Sequence, residues 1–407
     1  MSSPVEAPLR RPKTKSEMFS PEFWTLNMSS ILFMASFSMI IPELPDFIRQ
    51  MGGADYIGYT IGLFTLSAAI SRPISGVLTD RNGRIKIMLF GSAITTICGL
   101  LYPFAQTVWL FLALRFIHGI ATGFRPTAAT TYLTDIVPRQ RRGEAMGYLG
   151  MSGSIGMAMG PVLGSVLREE FSFEVMFYTS TLLGLLSFIL TTRLRETVTK
   201  KTSIVQSFRQ INASDVLERS ALPTSIIMVL DTFSFGVILT VAPDFVKSLG
   251  FEYKGLFNAI FVLASISMRF FAGQASDRYG RVPLLRIGTV VLVISLLILG
   301  FANSVSLLVI GAILYGMSIG INRPTIFAWT TDLANPEKIG KALATMLLAL
   351  EIGIGAGAFI SGEIYNNDLV RIPYTFFLAA FIALLSLIYL LFVAARFEDK
   401  QKKYHDS

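Results

Sequence analysis

The sequence has one cysteine, Cys98, and two histidines, His118 and His405. A lone cysteine inside an apolar run supports neither a disulfide framework nor a zinc cluster. Two histidines are too few for a histidine-based metal site, so no metal and no cofactor is expected. A membrane enzyme would want a nucleophile–base pair or metal ligands, and this inventory supplies almost none. Charge is scarce too: 15% of the 407 residues are Asp, Glu, Lys or Arg. A soluble domain of that length with so little charge would leave apolar patches in water. The opening MSSPVEAPLRRPKTKSEMFSPEF is polar and has no early apolar core, so it does not read as a cleaved signal peptide. No nucleic-acid partner is expected.

What is abundant is apolar. Hydrophobic residues make up 52% of the chain, and the mean hydropathy is +0.59. A spanning helix needs roughly 20 mostly apolar residues. Twelve such segments lie near 22–41, 55–79, 84–103, 107–135, 142–167, 173–192, 220–243, 255–276, 282–302, 305–332, 338–364 and 373–395. The expected fold is an all-α integral membrane protein of twelve transmembrane helices in two pseudo-symmetric six-helix bundles. The bundles would occupy 21–192 and 220–396, with tails at 1–20 and 397–407 and a linker at 193–219. Within the linker, SIVQSFRQI (203–211) reads either as a surface-lying amphipathic helix or as a solvated tether. Of 35 lysines and arginines, only Arg49, Arg168, Lys247, Lys254 and Arg371 fall on odd-to-even joints; apart from five arginines in spans, the rest lie on the tails and the other joints. That bias places both termini and the linker in the cytoplasm, in a plasma membrane such as the bacterial inner membrane.

The chain repeats itself. GVLTDRNGR (76–84) returns as GQASDRYGR (273–281): Gly76, Asp80, Arg81, Gly83 and Arg84 map to Gly273, Asp277, Arg278, Gly280 and Arg281. Arg72 maps to Arg269, Gly119 to Gly316, and Arg125-Pro126-Thr127 to Arg323-Pro324-Thr325, while LPDF (44–47) echoes APDF (242–245). Two parallel six-helix repeats are the pattern of a transporter that rocks one half against the other.

These motifs resemble the major facilitator superfamily. GVLTDRNGR is similar to its loop 2–3 signature, RFIHGIATG (115–123) to its helix 4 motif, and GSIGMAMGPVLGS (153–165) to the helix 5 motif of its drug:proton antiporter branch. Gly147, Gly156, Gly160, Pro161 and Gly164 stand where that motif has its glycines and proline. Ser165 replaces the usual final glycine, and His118 stands where that branch commonly has glutamine. The resemblance covers about 20 to 396 and implies a small-molecule substrate, proton coupling, alternating access and a monomer in the lipid bilayer. It also implies that Asp80 contacts the other half when the transporter is open to the outside.

Asn82-Gly83 reads as a tight turn, since both residue types tolerate positive φ. Gly76 would let a helix end approach its neighbour. Asp80, at a helix C-terminus, is disfavoured by the helix dipole and should seek a cation. The repeated motif then reads as a cytoplasmic latch, or as arginines that merely enforce topology. Gly156, Gly160 and Gly164 share one helix face, which reads as a hinge or seal at the interface between the halves, or as ordinary close packing. Pro161 is expected to bend its helix.

Charges within spans are costly and usually functional. With a rise of about 1.5 Å per residue, Arg125, Arg323 and Asp231 sit roughly 15 Å from the cytoplasmic helix ends, Glu351 roughly 20 Å and Arg72 and Arg269 roughly 12 Å. The resemblance implies that helices 1, 4, 7 and 10 line the cavity. Arg125, Asp231 and Arg323, with Thr127 and Thr325, are thus the candidate substrate site. Asp231 and Glu351 are the candidate proton carriers, since a carboxyl in a low-dielectric site titrates near physiological pH. A static Asp231–Arg323 ion pair is the alternative. Arg115 and His118, three apart on one face, form either a proton relay or a packed, hydrogen-bonded pair. Arg72 and Arg269 read as ties between helix ends and their neighbours. Five arginines against two carboxylates favour an anionic or zwitterionic solute, whereas the helix 5 motif favours efflux of small organic compounds. A sensor on the same fold would need no titratable group at mid-depth.

Overall fold

The computed structural model of the protein describes residues 19–138, 141–198, 217–335 and 338–394. Residues 1–18 and 395–407 and most of the linker, with the segment 203–211, lie outside the described residues. Among the described residues every regular element is helical. The twelve long helices are α1 Pro21–Met39, α2 Ile57–Asn82, α3 Arg84–Leu101, α4 Val108–Ile136, α5 Arg142–Glu170, α6 Phe173–Thr192, α7 Leu222–Ser248, α8 Gly255–Tyr279, α9 Arg281–Phe301, α10 Val305–Leu333, α11 Ile339–Tyr365 and α12 Ile372–Tyr389. A short helix, Leu44–Gln50, continues α1 after one tight turn. Eleven of the spans are straight enough, long enough and apolar enough to cross a bilayer, and α8 is the twelfth, bent by 46° between Gly255–Arg269 and Phe271–Tyr279. α5 runs through Pro161 as one span.

Local chemistry explains where the helices start. The Thr107 and Ser304 side chains accept from the Leu110 and Leu307 amides at the starts of α4 and α10, equivalent caps in the two repeats. Ser20 and Ser172 cap α1 and α6 in the same way. The repeated motif differs from the expected turn. α2 stays helical through Asn82, α3 begins at Arg84, and Gly83 alone breaks the helix, at φ 109° and ψ 147°. Gly280 does the same at φ 95° and ψ 159°. That region of φ/ψ is open to glycine and closed to residues with a Cβ.

Helices α1 to α6 pack among themselves, as do α7 to α12, and the halves meet chiefly through α2 against α11 and α5 against α8. Large apolar side chains such as Phe104, Trp109, Phe171 and Phe301 stay exposed on the outside of the bundles. In a bilayer that surface faces lipid. An even number of spans returns the chain to its starting side, here the terminal face; joints after odd-numbered helices lie on the distal face.

Candidate functional site

Arg125, on α4, is 1% exposed. Its guanidinium donates to Ser92 Oγ on α3 at 3.0 Å, to Ser29 Oγ on α1 at 2.9 Å and to Ser30 Oγ at 3.5 Å. It also lies 4.5 Å over the Phe33 ring. Three hydroxyls and one aromatic face occupy this arginine inside the N-terminal half. Its repeat partner Arg323, on α10, lies 4.6 Å over the Phe235 ring of α7, the same arrangement in the other half. Yet Arg323 Nε and Nη2 have no hydrogen-bond partner among the described residues. The symmetric pair expected from the repeat is therefore unequal: each guanidinium nitrogen of Arg125 has a hydroxyl partner, and two of those of Arg323 have none among the described residues. The hydroxyls of Thr127 and Thr325 do not join them. Each donates to its own helix, to Gly123 O at 2.8 Å and Ile321 O at 2.7 Å, the usual back-bond of a threonine within a helix.

Asp231, on α7, is buried, and its Oδ1 accepts from Asn322 Nδ2 on α10 at 2.7 Å. It makes no ion pair among the described residues, so the static Asp231–Arg323 pair does not form: the amide one residue earlier takes its place. Glu351, on α11, accepts from Arg72 Nε on α2 at 2.9 Å and also from Arg72 Nη2. This bridge joins the two halves deep within the protein. Arg269 likewise crosses between halves, donating to Ser154 Oγ on α5 at 2.8 Å. Depth estimates along a helix axis leave out the reach of an arginine, which is why Arg72 and Glu351 looked separate. Neither Arg72–Glu351 nor Asp231–Asn322 carries a signal in the repeat, because neither pair consists of copies.

Arg115 and His118 are wholly buried. His118 Nδ1 shares a 2.8 Å hydrogen bond with Tyr102 Oη, and Arg115 Nε donates to Thr60 O at 2.9 Å over the Phe64 ring. They form one cluster inside the N-terminal half. Of the five intramembrane arginines, then, two are sealed within a bundle, one is neutralised by Glu351 and one is held by Ser154. The count of five against two does not describe what a solute would meet.

At the terminal face, Arg84 Nε donates to Asp135 Oδ2 at 2.9 Å and Arg281 Nε to Asp332 Oδ2 at 2.8 Å. Asp80 and Asp277 pair with Arg84 and Arg281 of their own segments, and their side chains are 70% and 72% exposed. Asp135 and Asp332 are repeat equivalents as well, but in the sequence alone they mark only helix ends. Among the described residues, a side chain at Gly76, Gly147 or Gly273 would meet nothing within 4 Å. Toward the distal face the picture reverses. A Cβ on Gly58 would fall 2.9 Å from Gly362 Cα on α11, and one on Gly62 would strike the Phe359 ring. The two halves are pressed together distally, whereas these terminal-face glycines touch no side chain or backbone among the described residues.

The helix 5 glycines do not face the other half. A Cβ at Gly156 would lie 2.7 Å from Met34 Cβ, at Gly160 2.6 Å from Ala35 O and at Gly164 2.8 Å from Met39 Cγ. All three seat α5 on α1, so the glycine stripe is close packing within one bundle. The neighbouring face of α5 carries the contact between halves: the Pro161 backbone lies against Gly255 of α8.

A sequence model of the Major Facilitator Superfamily matches residues 26–257 and 224–407. The chain is 31% identical over 310 residues to "Multidrug resistance protein MdtG" of Serratia proteamaculans (strain 568), across 72% of this chain and 74% of that protein. It is 28% identical over 395 residues to the protein of the same name from Enterobacter lignolyticus (strain SCF1), across 91% and 92%. The crystal structure of the human organic anion transporter MFSD10 (TETRAN) matches with a TM-score of 0.72 at 18% identity, over 91% of this chain and 100% of that one. At that identity the likeness is one of fold.

Proposed function

The chain belongs to the major facilitator superfamily, a transporter embedded in the membrane, and from that premise we propose that it expels small organic solutes in exchange for protons. The terminal face is cytoplasmic, on the Lys and Arg bias, and the membrane is the bacterial inner membrane, as the relatives' organisms suggest. The chain works as a monomer, since each copy holds both halves. The observation that carries the reading is the pair of buried carboxyls. Asp231 is held by a neutral amide, so it can gain or lose a proton without breaking an ion pair. Glu351 is held by Arg72 across the halves, so neutralising it loosens α2 from α11. In this division Asp231 carries the proton and Glu351 couples its arrival to the rocking of the halves. The repeated motif then acts as the cytoplasmic latch, released here. That the two bacterial relatives are multidrug resistance proteins supports efflux.

A second reading follows from Arg323. Two free guanidinium donors over an aromatic ring suit a carboxylate or phosphate, so organic anions are the alternative cargo. Proteoliposomes separate the steps. With a fluorescent lipophilic cation and a carboxylated dye as probes, Asp231→Asn should lose accumulation driven by a pH difference yet retain solute exchange. If Asp231→Asn and Glu351→Gln both still concentrate the probe against its gradient, proton coupling through these carboxyls is wrong.

A further inference from the structure

The echo of LPDF in APDF runs further than four residues. Asp46 and Arg49 have Asp244 and Lys247 as their copies, each cation three residues after its aspartate. The turns that follow are copies as well. Gly52 and Gly250 take φ of 76° and 88°, and their amides donate to Arg49 O at 2.9 Å and Lys247 O at 3.0 Å. Both segments sit at the distal face, where α1 and α7 end.

The cations cross over. Arg49 Nη1 donates to Asp244 Oδ1 at 2.9 Å, and Nη2 bonds Asp244 Oδ2. Lys247 Nζ lies 3.3 Å from Asp46 Oδ2. Each half thus offers its aspartate to the cation of the other, while Arg49 Nη1 also donates to Asp46 Oδ1 of its own half at 3.0 Å. Lys254, wholly buried, reinforces the crossing: its Nζ is 2.7 Å from Asp46 Oδ2 and 3.6 Å from Glu43 Oε2. Ser165, the departure from the helix 5 motif, donates to Glu43 Oε1 at 2.7 Å and accepts from the Gly255 amide at 2.9 Å. A glycine there makes neither bond.

Charge placement argues that this cluster has a purpose. Lysine and arginine are disfavoured on translocated joints. Four of the five on this face, Arg49, Arg168, Lys247 and Lys254, gather within ion-pair distance of Glu43, Asp46 or Asp244. Topology works against them, and a buried ammonium such as Lys254 is tolerated only when paired.

We infer that the repeated Asp-x-x-Arg/Lys segment is a distal gate, a crossed double ion pair that holds this face shut and must break for it to open. The inference rests on the alternating-access reading, but its test does not need transport. Spin labels on Gln50→Cys and Glu252→Cys, both exposed and in different halves, report the opening as a distance in full-length protein in nanodiscs, with Cys98→Ala as background. The unaltered gate should give mainly the short distance. Arg49→Asp or Asp244→Arg should raise the long-to-short ratio at least tenfold, and Lys254→Met should move it the same way. The double variant Arg49→Asp/Asp244→Arg should restore the short distance. If a single reversal fails to fold while the double variant folds, that is the same rescue. Unchanged distances in the single variants, or a double variant as open as either single, would overturn the gate. A gate that responds in a protein that moves no solute would instead overturn the proposed function and leave the gate standing.

Discussion

Arg125 and Arg323 occupy equivalent places in the repeat and have unequal surroundings. Arg125→Lys removes a fork that reaches Ser29 and Ser92 on two helices. Each charged hydrogen bond lost costs about 1.5–3 kcal/mol, so this variant should melt clearly earlier in detergent. Arg323→Lys should melt almost as the unaltered protein does, because its Nε and Nη2 hold no partner. It should instead weaken binding of the carboxylated dye, read by titration, if anions are the cargo, and leave the lipophilic cation unaffected. The sequence made both arginines legible through the repeated Arg-Pro-Thr. It could not tell them apart, because serines in apolar helices are common and nothing marks Ser29, Ser30 and Ser92 as the ones that enclose a guanidinium. Asn322 was equally silent, one polar residue beside a charged one.

The helices show the same division between pattern and partner. The spacing of Gly156, Gly160 and Gly164 was legible as one smooth face of α5, but spacing does not say which neighbour the face meets. It meets α1. Gly156→Leu should therefore cost stability directly, about 1–3 kcal/mol or more by overpacking, measured as a lower melting temperature. Gly76 has no neighbour within reach of a side chain among the described residues in this conformation, so Gly76→Leu should fold with an unchanged melting temperature. If that face must close during the cycle, the added side chain should obstruct closure. The variant should then transport poorly and leave a cysteine placed at Asp80 permanently open to alkylation from the terminal face. Normal transport by Gly76→Leu would mean the α2 end never approaches a neighbour.

For the whole molecule, two six-helix halves and their internal copies were readable from composition, charge bias and repeats alone. What one half does to the other was not. A repeat compares a residue with its copy, whereas Arg72–Glu351 and Arg269–Ser154 join residues that are not copies. The distal crossing was half visible, as an unexplained echo of four residues. The halves are sealed distally in this conformation by Gly58, Gly62 and the crossed charges; in the proposed cycle they rock, with protonation of Asp231 and Glu351 setting the balance. The most direct test is proton movement linked to solute movement in proteoliposomes that enclose a pH indicator. Adding the lipophilic cation or the carboxylated dye should drive protons opposite to the solute in the unaltered protein, and the proton signal should vanish in Asp231→Asn. Solute crossing with no linked proton movement, or proton movement that persists unchanged in Asp231→Asn, would contradict the account.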